Sequence, residues 1–458
     1  MLRVLKWVGM SVFALIIFGF AYLYLAPPDL IRVGANYTAK MVCSNIFLTN
    51  RAAQDVLEVD VQAPGHPILT VMNVNVDRDA KQVRAGLFGI FGNGLAVYRE
   101  GYGCTSVPDG DLSKVVRFEP VQLDTDNNTN QIWPDGNTIN FAPDENLETV
   151  LNDEKLAGDG MRAIVVVKDG KIIGQRFGEG FDKETSLLGW SMTKTVTAAI
   201  LGRLMKQGIV EEDPSNLFPE WSGDNRKLIK MSDLLGMASD LNWNEGYGSV
   251  SDVTRLLFLE SDEKAFVAAS KLDAPDGDQI GKKFNYSSGT SVLVSAYWQG
   301  LFETPEEAIT FPRKHLFDAL DMTTAVMEAD ARGTFTGGSY MYASAYDWAR
   351  FGQFLLQKGE WNGEQLLPQG YVDWMTTPHA ASQGKYAKGH IWRAEPNYKR
   401  IKDGITLQHD AFWLAGHDGQ SVAILPEEKL VVVRLGLTPG KDGYLPGRLV
   451  SAIVDATK

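Results

Sequence analysis

Cysteine is nearly missing from this chain: Cys43 and Cys104 are its only two in 458 residues, too few for a fold built on disulfides. Histidine is scarce as well. The six that occur show no zinc-ligand spacing, so no metal site is expected; no cofactor is expected either. Positive charge is in deficit, with 44 Lys and Arg against 57 Asp and Glu and a net charge of -13. Such a surface excludes nucleic acid, and an anionic membrane surface, as partners held by charge.

What is present begins with an apolar N-terminus. Arg3 and Lys6 precede residues 7–25, which run without a charge until Pro27-Pro28. At about 1.5 Å per helical residue the run spans a hydrocarbon core. The positive flank is expected to stay cytoplasmic, and Tyr22 and Tyr24 suit the interface. The other reading is a cleaved signal peptide with its site at Gly19-Phe20-Ala21. Continuation of the run past Ala21 favours a retained anchor over residues 1–28. Either way the rest is exported, with a bacterial periplasm as the expected address.

In that oxidising compartment Cys43 and Cys104 are expected to pair, the other reading being two buried thiols. Residues 29–110 are expected to form a small β-rich module. Alternation over residues 56–59, 71–76 and 83–87 indicates strands, and Asn93-Gly94 supplies a turn signal. Residues 111–144 lose periodicity and read as a linker. Asp124-x-Asp126-x-Asn128 resembles the start of a calcium loop, but Thr129 and Asp135 stand where glycine and glutamate belong, so these are read as turn residues.

The main domain is expected over residues 145–458. Residues 163–167 and 171–177 flank Asp169-Gly170, a hairpin signal. A long helical region follows, with starts at Thr304-Pro305-Glu306-Glu307 and at Ser344. Strands return at residues 409–414, 420–425 and 429–437, and residues 446–457 can close as a helix. This order predicts an α/β (α+β) architecture: one antiparallel sheet built from both ends of the domain, flanked by helices, with an inserted helical subdomain.

Ser191-Met192-Thr193-Lys194 lies where the strands give way to helix. A serine opening a helix with a lysine three residues on places hydroxyl and amine on one face, at a helix end whose N–H groups favour a developing oxyanion. Ser261/Lys264 and Ser382/Lys385 share the spacing. Only Ser191 is followed by a buried-helix period, Val196, Ile200 and Leu204, and the other two pairs read as solvated surface. An ordinary helix cap is the bland reading of Ser191. Tyr286-Ser287-Ser288 precedes another apolar stretch. Tyr286 can relay a proton to Lys194, or the segment is a helix start capped by Ser288 with Tyr286 as core. His417-Asp418-Gly419-Gln420 sits at a strand edge, where glycine permits close approach to a ligand and His417 otherwise reads as a surface turn residue. Gly189-Trp190-Ser191 lacks the second glycine of an α/β-hydrolase elbow.

Together and in this order, the three segments resemble the motifs of the serine β-lactamase and penicillin-binding-protein superfamily. The likeness is to the class C branch with its esterases, D-aminopeptidases and aminohexanoate-dimer hydrolases. It runs through residues 145–457 and includes Met231-Ser232-Asp233-Leu234-Leu235-Gly236-Met237 and Tyr342-Ala343-Ser344-Ala345-Tyr346-Asp347-Trp348. The resemblance implies a β-lactamase/transpeptidase-like fold with Ser191 as nucleophile, Lys194 as base and Tyr286 in proton transfer. Ser288 falls on the polar position of Tyr-x-Asn, His417 and Gly419 on the outer positions of Lys-Thr-Gly, and Gln420 supplies an oxyanion N–H beside that of Ser191. A free lysine titrates near about 10.4, so Lys194 must be desolvated or crowded to act as a base.

Two departures matter. His417 removes the fixed cation that holds substrate carboxylates, and Ser288 removes an amide that contacts the acyl side chain. Both favour an ester or amide substrate over the alternative of a β-lactamase or D,D-peptidase acting on cell-wall-type or peptide-like substrates. The competing class is a catalytically silent envelope protein that binds peptidoglycan fragments. Trp190, Trp243, Tyr247 and Trp413 are candidate lining residues. Residues 242–250 and 386–402 shape the pocket.

Overall fold

The computed structural model describes residues 2–120, 131–140, 142, 144–439 and 443–458, so the calcium-loop-like Asp124 series lies outside the described residues. The chain forms two compact units: Met1–Arg99, Gly103–Val116 and Glu245–Ser261 in one, Glu100–Tyr102, Arg117–Asn244 and Asp262–Lys458 in the other.

In the first unit α1 (Leu2–Leu25) leads into α2 (Asp29–Leu48) through the two prolines. A helix over residues 29–48 corrects the reading of this stretch as part of a β-rich module. Ile31, Ala35, Val42 and Ile46 recur at helical spacing and are buried, with Gly34 and Ala39 between them. Residues 56–59 are a second correction, because residues 56–62 form a π-helical segment. Val56, Leu57, Asp60 and Val61 bury one helical face, a pattern that four alternating residues do not separate from a strand. Strands β1 (Met72–Asp77), β2 (Gln82–Leu87), β3 (Phe91–Arg99) and β4 (Gly103–Ser106) form an antiparallel sheet in that order. Asn93-Gly94 lies inside β3 and is not the turn, which falls at residues 88–90. There Gly94 lets the strand touch α2, since a Cβ would meet the Ala35 carbonyl oxygen at 2.2 Å. A disulfide between Cys43 and Cys104, Cα atoms 6.1 Å apart, ties α2 to β4. Glu245–Ser261 joins this unit although its flanks in sequence belong to the other. Its helix Asp252–Leu259 packs on α2, with Phe258 edge-on to Tyr37 at 5.4 Å.

In the second unit β5 (Met161–Lys168) and β6 (Lys171–Phe177) form the expected hairpin, with Asp169 and Gly170 both at positive φ as a tight primed turn requires. Three helices then organise the middle of the chain: α3 (Thr193–Lys206), α4 (Ser288–Gln299) and α5 (Ala345–Leu356). Strands β7 (Phe412–Ala415), β8 (Ser421–Leu425) and β9 (Leu430–Gly436) return to the hairpin, and α6 (Pro446–Ala456) ends the chain. The sheet order is β7-β8-β9-β5-β6, all antiparallel, with Val432 opposite Val166. Both termini of the unit therefore build one sheet, as expected from the sequence.

Helices cover both faces of that sheet, which is why β5, β8 and β9 read as continuous apolar runs. On one side Leu147 and Leu151, with Leu449 and Ile453 of α6, meet Ile164, Val166 and Val432. On the other, Gly352 brings α5 so close that a Cβ would lie 2.6 Å from Val431. Ser344 caps α5 through the Asp347 N–H at 3.2 Å. Within α5, Arg350 pairs with Asp347 at 2.9 Å, both side chains almost wholly buried. The same guanidinium donates to the carbonyls of Pro134 and Gly136 and to Asn137 Oδ1 at 2.7–2.9 Å. Residues 134–137 of the linker are thus pinned to the second unit.

Candidate active site

The nucleophile segment is suspended between strand and helix. Leu187–Leu188 pairs with Met341–Ala343, and the Gly189 N–H donates to the Met341 carbonyl at 2.9 Å. Gly189 is required here because a Cβ would stand 2.3 Å from the Trp348 ring. Trp190 then takes a left-handed φ of 48°, a conformation costing a large side chain on the order of 1 kcal/mol. That turn sets Ser191 ahead of α3 with its hydroxyl toward the helix face bearing Lys194.

Lys194 is fully buried and donates to three neutral oxygens: Ser191 Oγ at 3.1 Å, Ser288 Oγ at 3.0 Å and the Gly338 carbonyl at 2.7 Å. Its Nζ also lies 4.8 Å from the centre of the Tyr286 ring. The structure thus gathers Ser191, Lys194, Tyr286 and Ser288 at one amine.

The second segment is held by its neighbours. The Asn285 N–H donates to the Met237 carbonyl at 2.8 Å, and its side-chain amide to the Trp243 carbonyl at 3.1 Å. The cap of α4 is Ser287, whose Oγ accepts the Thr290 N–H at 3.2 Å, and this corrects the alternative in which Ser288 is the cap. Ser288 turns its hydroxyl inward to Lys194.

The third segment joins β7 to β8. Gly416 packs where a Cβ would be 2.2 Å from the Gly189 carbonyl oxygen, which brings this turn onto the nucleophile segment. The His417 ring sits edge-on to Trp190 at 5.7 Å with its side chain 42 % exposed, and its Nε2 lies 3.3 Å from Asp418 Oδ1. Asp418 and Gly419 have positive φ. Gln420 is buried and braces the turn: its amide nitrogen donates to the His417 carbonyl at 3.1 Å, and its Oε1 accepts the Gly436 N–H at 2.9 Å. Among the described residues, no protein acceptor takes the backbone N–H of Ser191.

The other Ser-x-x-Lys pairs are corrected in their environment. Ser382 is buried, its hydroxyl tied to the carbonyls of His379 and Tyr386, while Lys385 lies over the Tyr398 ring. Ser261 is also buried, and Lys264 pairs with Glu220. Neither pair forms a contact like that of Ser191 and Lys194. Of the candidate lining residues, Trp413 belongs to the core, Trp243 packs on Phe266 and Gly289, and Tyr247 lies exposed in the other unit.

Sequence reasoning missed Gly338 and His390. His390 is buried between two helices: its carbonyl accepts from Thr195 Oγ1 at 2.7 Å, and its Nε2 lies 3.1 Å from Ser291 Oγ. Burial pushes its imidazole down to about 3. Tyr386, 3.5 Å from His390 Nδ1, meets the Tyr286 ring edge-on at 5.7 Å, and Trp392 stands 5.3 Å from that ring. The glycine pair Gly337-Gly338 and the sequence Gly389-His390-Ile391-Trp392 were the available signals.

A family model described as beta-lactamase matches residues 154–447. The chain belongs to the beta-lactamase family. Members of this family are serine hydrolases. Solved structures share the fold: a Bacillus anthracis protein provisionally assigned as a 6-aminohexanoate-dimer hydrolase is 16% identical, with TM-score 0.56 over 90% of this chain and 96% of that one. A penicillin-binding-protein homologue from Caulobacter crescentus is 14% identical, with TM-score 0.51 over 69% and 98% of the two chains. A class C beta-lactamase in complex with cefoxitin is 14% identical, with TM-score 0.50 over 68% and 99%. Among curated proteins, one from Alkalihalophilus pseudofirmus, described as uncharacterized, is 29% identical over 98 residues, or 20% of this chain. The matched region spans 29% of that relative's length.

Proposed function

We propose that this beta-lactamase-family chain is an esterase or amidase that works through an acyl-enzyme on Ser191. The observation that carries the reading is the buried Lys194 amine 3.1 Å from Ser191 Oγ, which also donates to Ser288 and Gly338. Full burial disfavours an ammonium ion, the condition a lysine needs to accept a proton. As Ser191 Oγ bonds to the substrate carbonyl carbon, its proton passes to Lys194 Nζ. The carbonyl oxygen becomes the oxyanion, received by the N–H groups of Ser191 and Gln420. Collapse breaks the bond to the alcohol or amine, which leaves with that proton by way of Lys194 and Tyr286. Water repeats the sequence on the acyl-enzyme and releases the acid.

Substrate preference follows from the third segment. A histidine, half exposed beside Asp418, occupies position 417, so the segment lacks the lysine with which family members hold a substrate carboxylate. Neutral esters and amides suit such a site better than penicillins or peptidyl-D-alanine. The same reading keeps α1 as a single-pass anchor with the catalytic unit on the periplasmic side, supported by its apolar length and by the Cys43–Cys104 disulfide. The test is turnover by the detergent-purified full chain of short-chain esters, D-amino amides, linear ω-amino amides and a cephalosporin. Ester or amide turnover abolished in Ser191→Ala, with the fold retained, is expected. Cephalosporin turnover exceeding all others contradicts the substrate assignment, and turnover undiminished in Ser191→Ala contradicts the mechanism.

A further inference from the structure

One end of the first unit carries an exposed apolar surface that the proposed reaction does not use. The turn between β2 and β3 is Phe88-Gly89-Ile90, with Phe88 60% and Ile90 45% exposed. Val71, 37% exposed, is beside it, its carbonyl accepting the Phe88 N–H at 2.9 Å. Residues 85–98 contain no charged side chain. Large apolar side chains at a turn tip expose surface that water solvates poorly, and a cluster of them marks a contact surface.

Strand register fixes where that tip lies. β3 runs beside α2 in the same direction: Gly92 packs at Ile31 and Ala35, the Leu95 N–H donates to Asn36 Oδ1 at 3.2 Å, and Tyr98 stacks on Phe47 at 4.9 Å. Going back from Tyr98 to Phe91 therefore leads from the far end of α2 to its start. There the Phe91 ring meets Phe20 of α1 at 5.0 Å. Residues 88–90 lie one step further, beside the last turns of the apolar helix Val4–Leu25. Phe20 is about 7 Å along the axis from the end of that helix, at about 1.5 Å per residue. A side chain at that level faces acyl chains and headgroups if α1 spans the bilayer.

We propose that the β2–β3 turn is a second membrane contact, with Phe88, Ile90 and Val71 dipping into the interface of the leaflet in which α1 ends. It rests on the reading of α1 as a retained anchor. A single helix leaves a unit free to swivel, whereas a helix plus this foot fixes the orientation of the first unit on the surface. The occupant is lipid, because the patch adjoins the apolar helix and is uncharged.

The test uses the full chain in vesicles of phosphatidylethanolamine and phosphatidylglycerol, with a nitroxide on single introduced cysteines. The native pair is bonded and buried, so only the new thiol reacts. Labels go on Phe88→Cys and Ile90→Cys, on Asp79→Cys at the opposite end of the sheet, and on Ile16→Cys within α1. Expected are high oxygen and low nickel-chelate accessibility at positions 16, 88 and 90, and the reverse at 79. If positions 88 and 90 match 79 while 16 reports lipid, the foot is overturned and the anchor stands. Exclusion of both reagents at 88 and 90 means burial against protein and also overturns it. Water accessibility at position 16 refutes the anchor, and the foot with it.

Discussion

The carbonyl of Gly338 accepts a 2.7 Å hydrogen bond from Lys194 Nζ, at a position where a Cβ would stand 2.7 Å from the Ser288 carbonyl oxygen. Two partners of the buried amine are therefore packed against each other, and only glycine fits between them. Gly338→Ala is predicted to force this backbone apart and lower kcat at least about tenfold, since sub-ångström misplacement is costly in preorganised sites. Gly223→Ala, where a Cβ meets nothing within 4 Å, serves as the control and is expected to match wild type. Steady-state kinetics of the two variants decide the point.

Lys194→Ala removes the base and takes the donor from the buried Gly338 carbonyl. General-base loss is expected to lower kcat/KM by about 10²–10⁴. The Gly338 carbonyl that loses its donor is expected to cost about 1–3 kcal/mol in urea unfolding. A variant retaining activity within about tenfold of wild type contradicts the role assigned to Lys194.

His390 predicts acid sensitivity. Its ordinary value is 6.5, and burial lowers it to about 3 in the folded protein. Above pH 6.5 the ring is neutral in both states and costs nothing. As pH falls from 6.5 toward 3, the unfolded chain gains a proton that the folded one does not, so stability drops by up to about 1.4 kcal/mol per pH unit. His390→Gln is expected to flatten the decline of Tm between pH 6 and 4, checked by thermal unfolding across that range.

Arg350 and Asp347 form a pair that is almost wholly buried, and Arg350 also anchors residues 134–137. Arg350→Ala leaves the Asp347 carboxyl buried without its arginine. A loss of about 3–5 kcal/mol is predicted by chemical denaturation. Protease cleavage within residues 131–140 is expected to rise in parallel.

The sheet was legible because its strands are bounded by strong local signals, Asp169-Gly170 for one hairpin and Pro426-Glu427-Glu428 for another. The three site segments were legible because each combines a reactive side chain with a change of secondary structure. Residues 29–48 were not, since the valine-rich strands after them set the expectation for the whole module, while Gly34 and Asn36 hide the helical period of Ile31, Ala35 and Val42. Ser382 read as surface beside Gly384, yet it is a buried turn hinge whose partners are backbone groups that no side-chain pattern announces. Gly338 and His390 act across more than ninety residues of intervening chain, on Lys194 and Ser291. Such contacts depend on tertiary packing and leave no spacing to read.

The central claim is an activated Ser191, and labelling tests it most directly. The purified full chain is treated with a fluorophosphonate probe, and peptide mass spectrometry locates the adduct. An adduct on Ser191 that disappears in Lys194→Ala is the predicted result. A folded wild-type chain that carries no adduct at Ser191, or one that forms equally well without Lys194, contradicts the account.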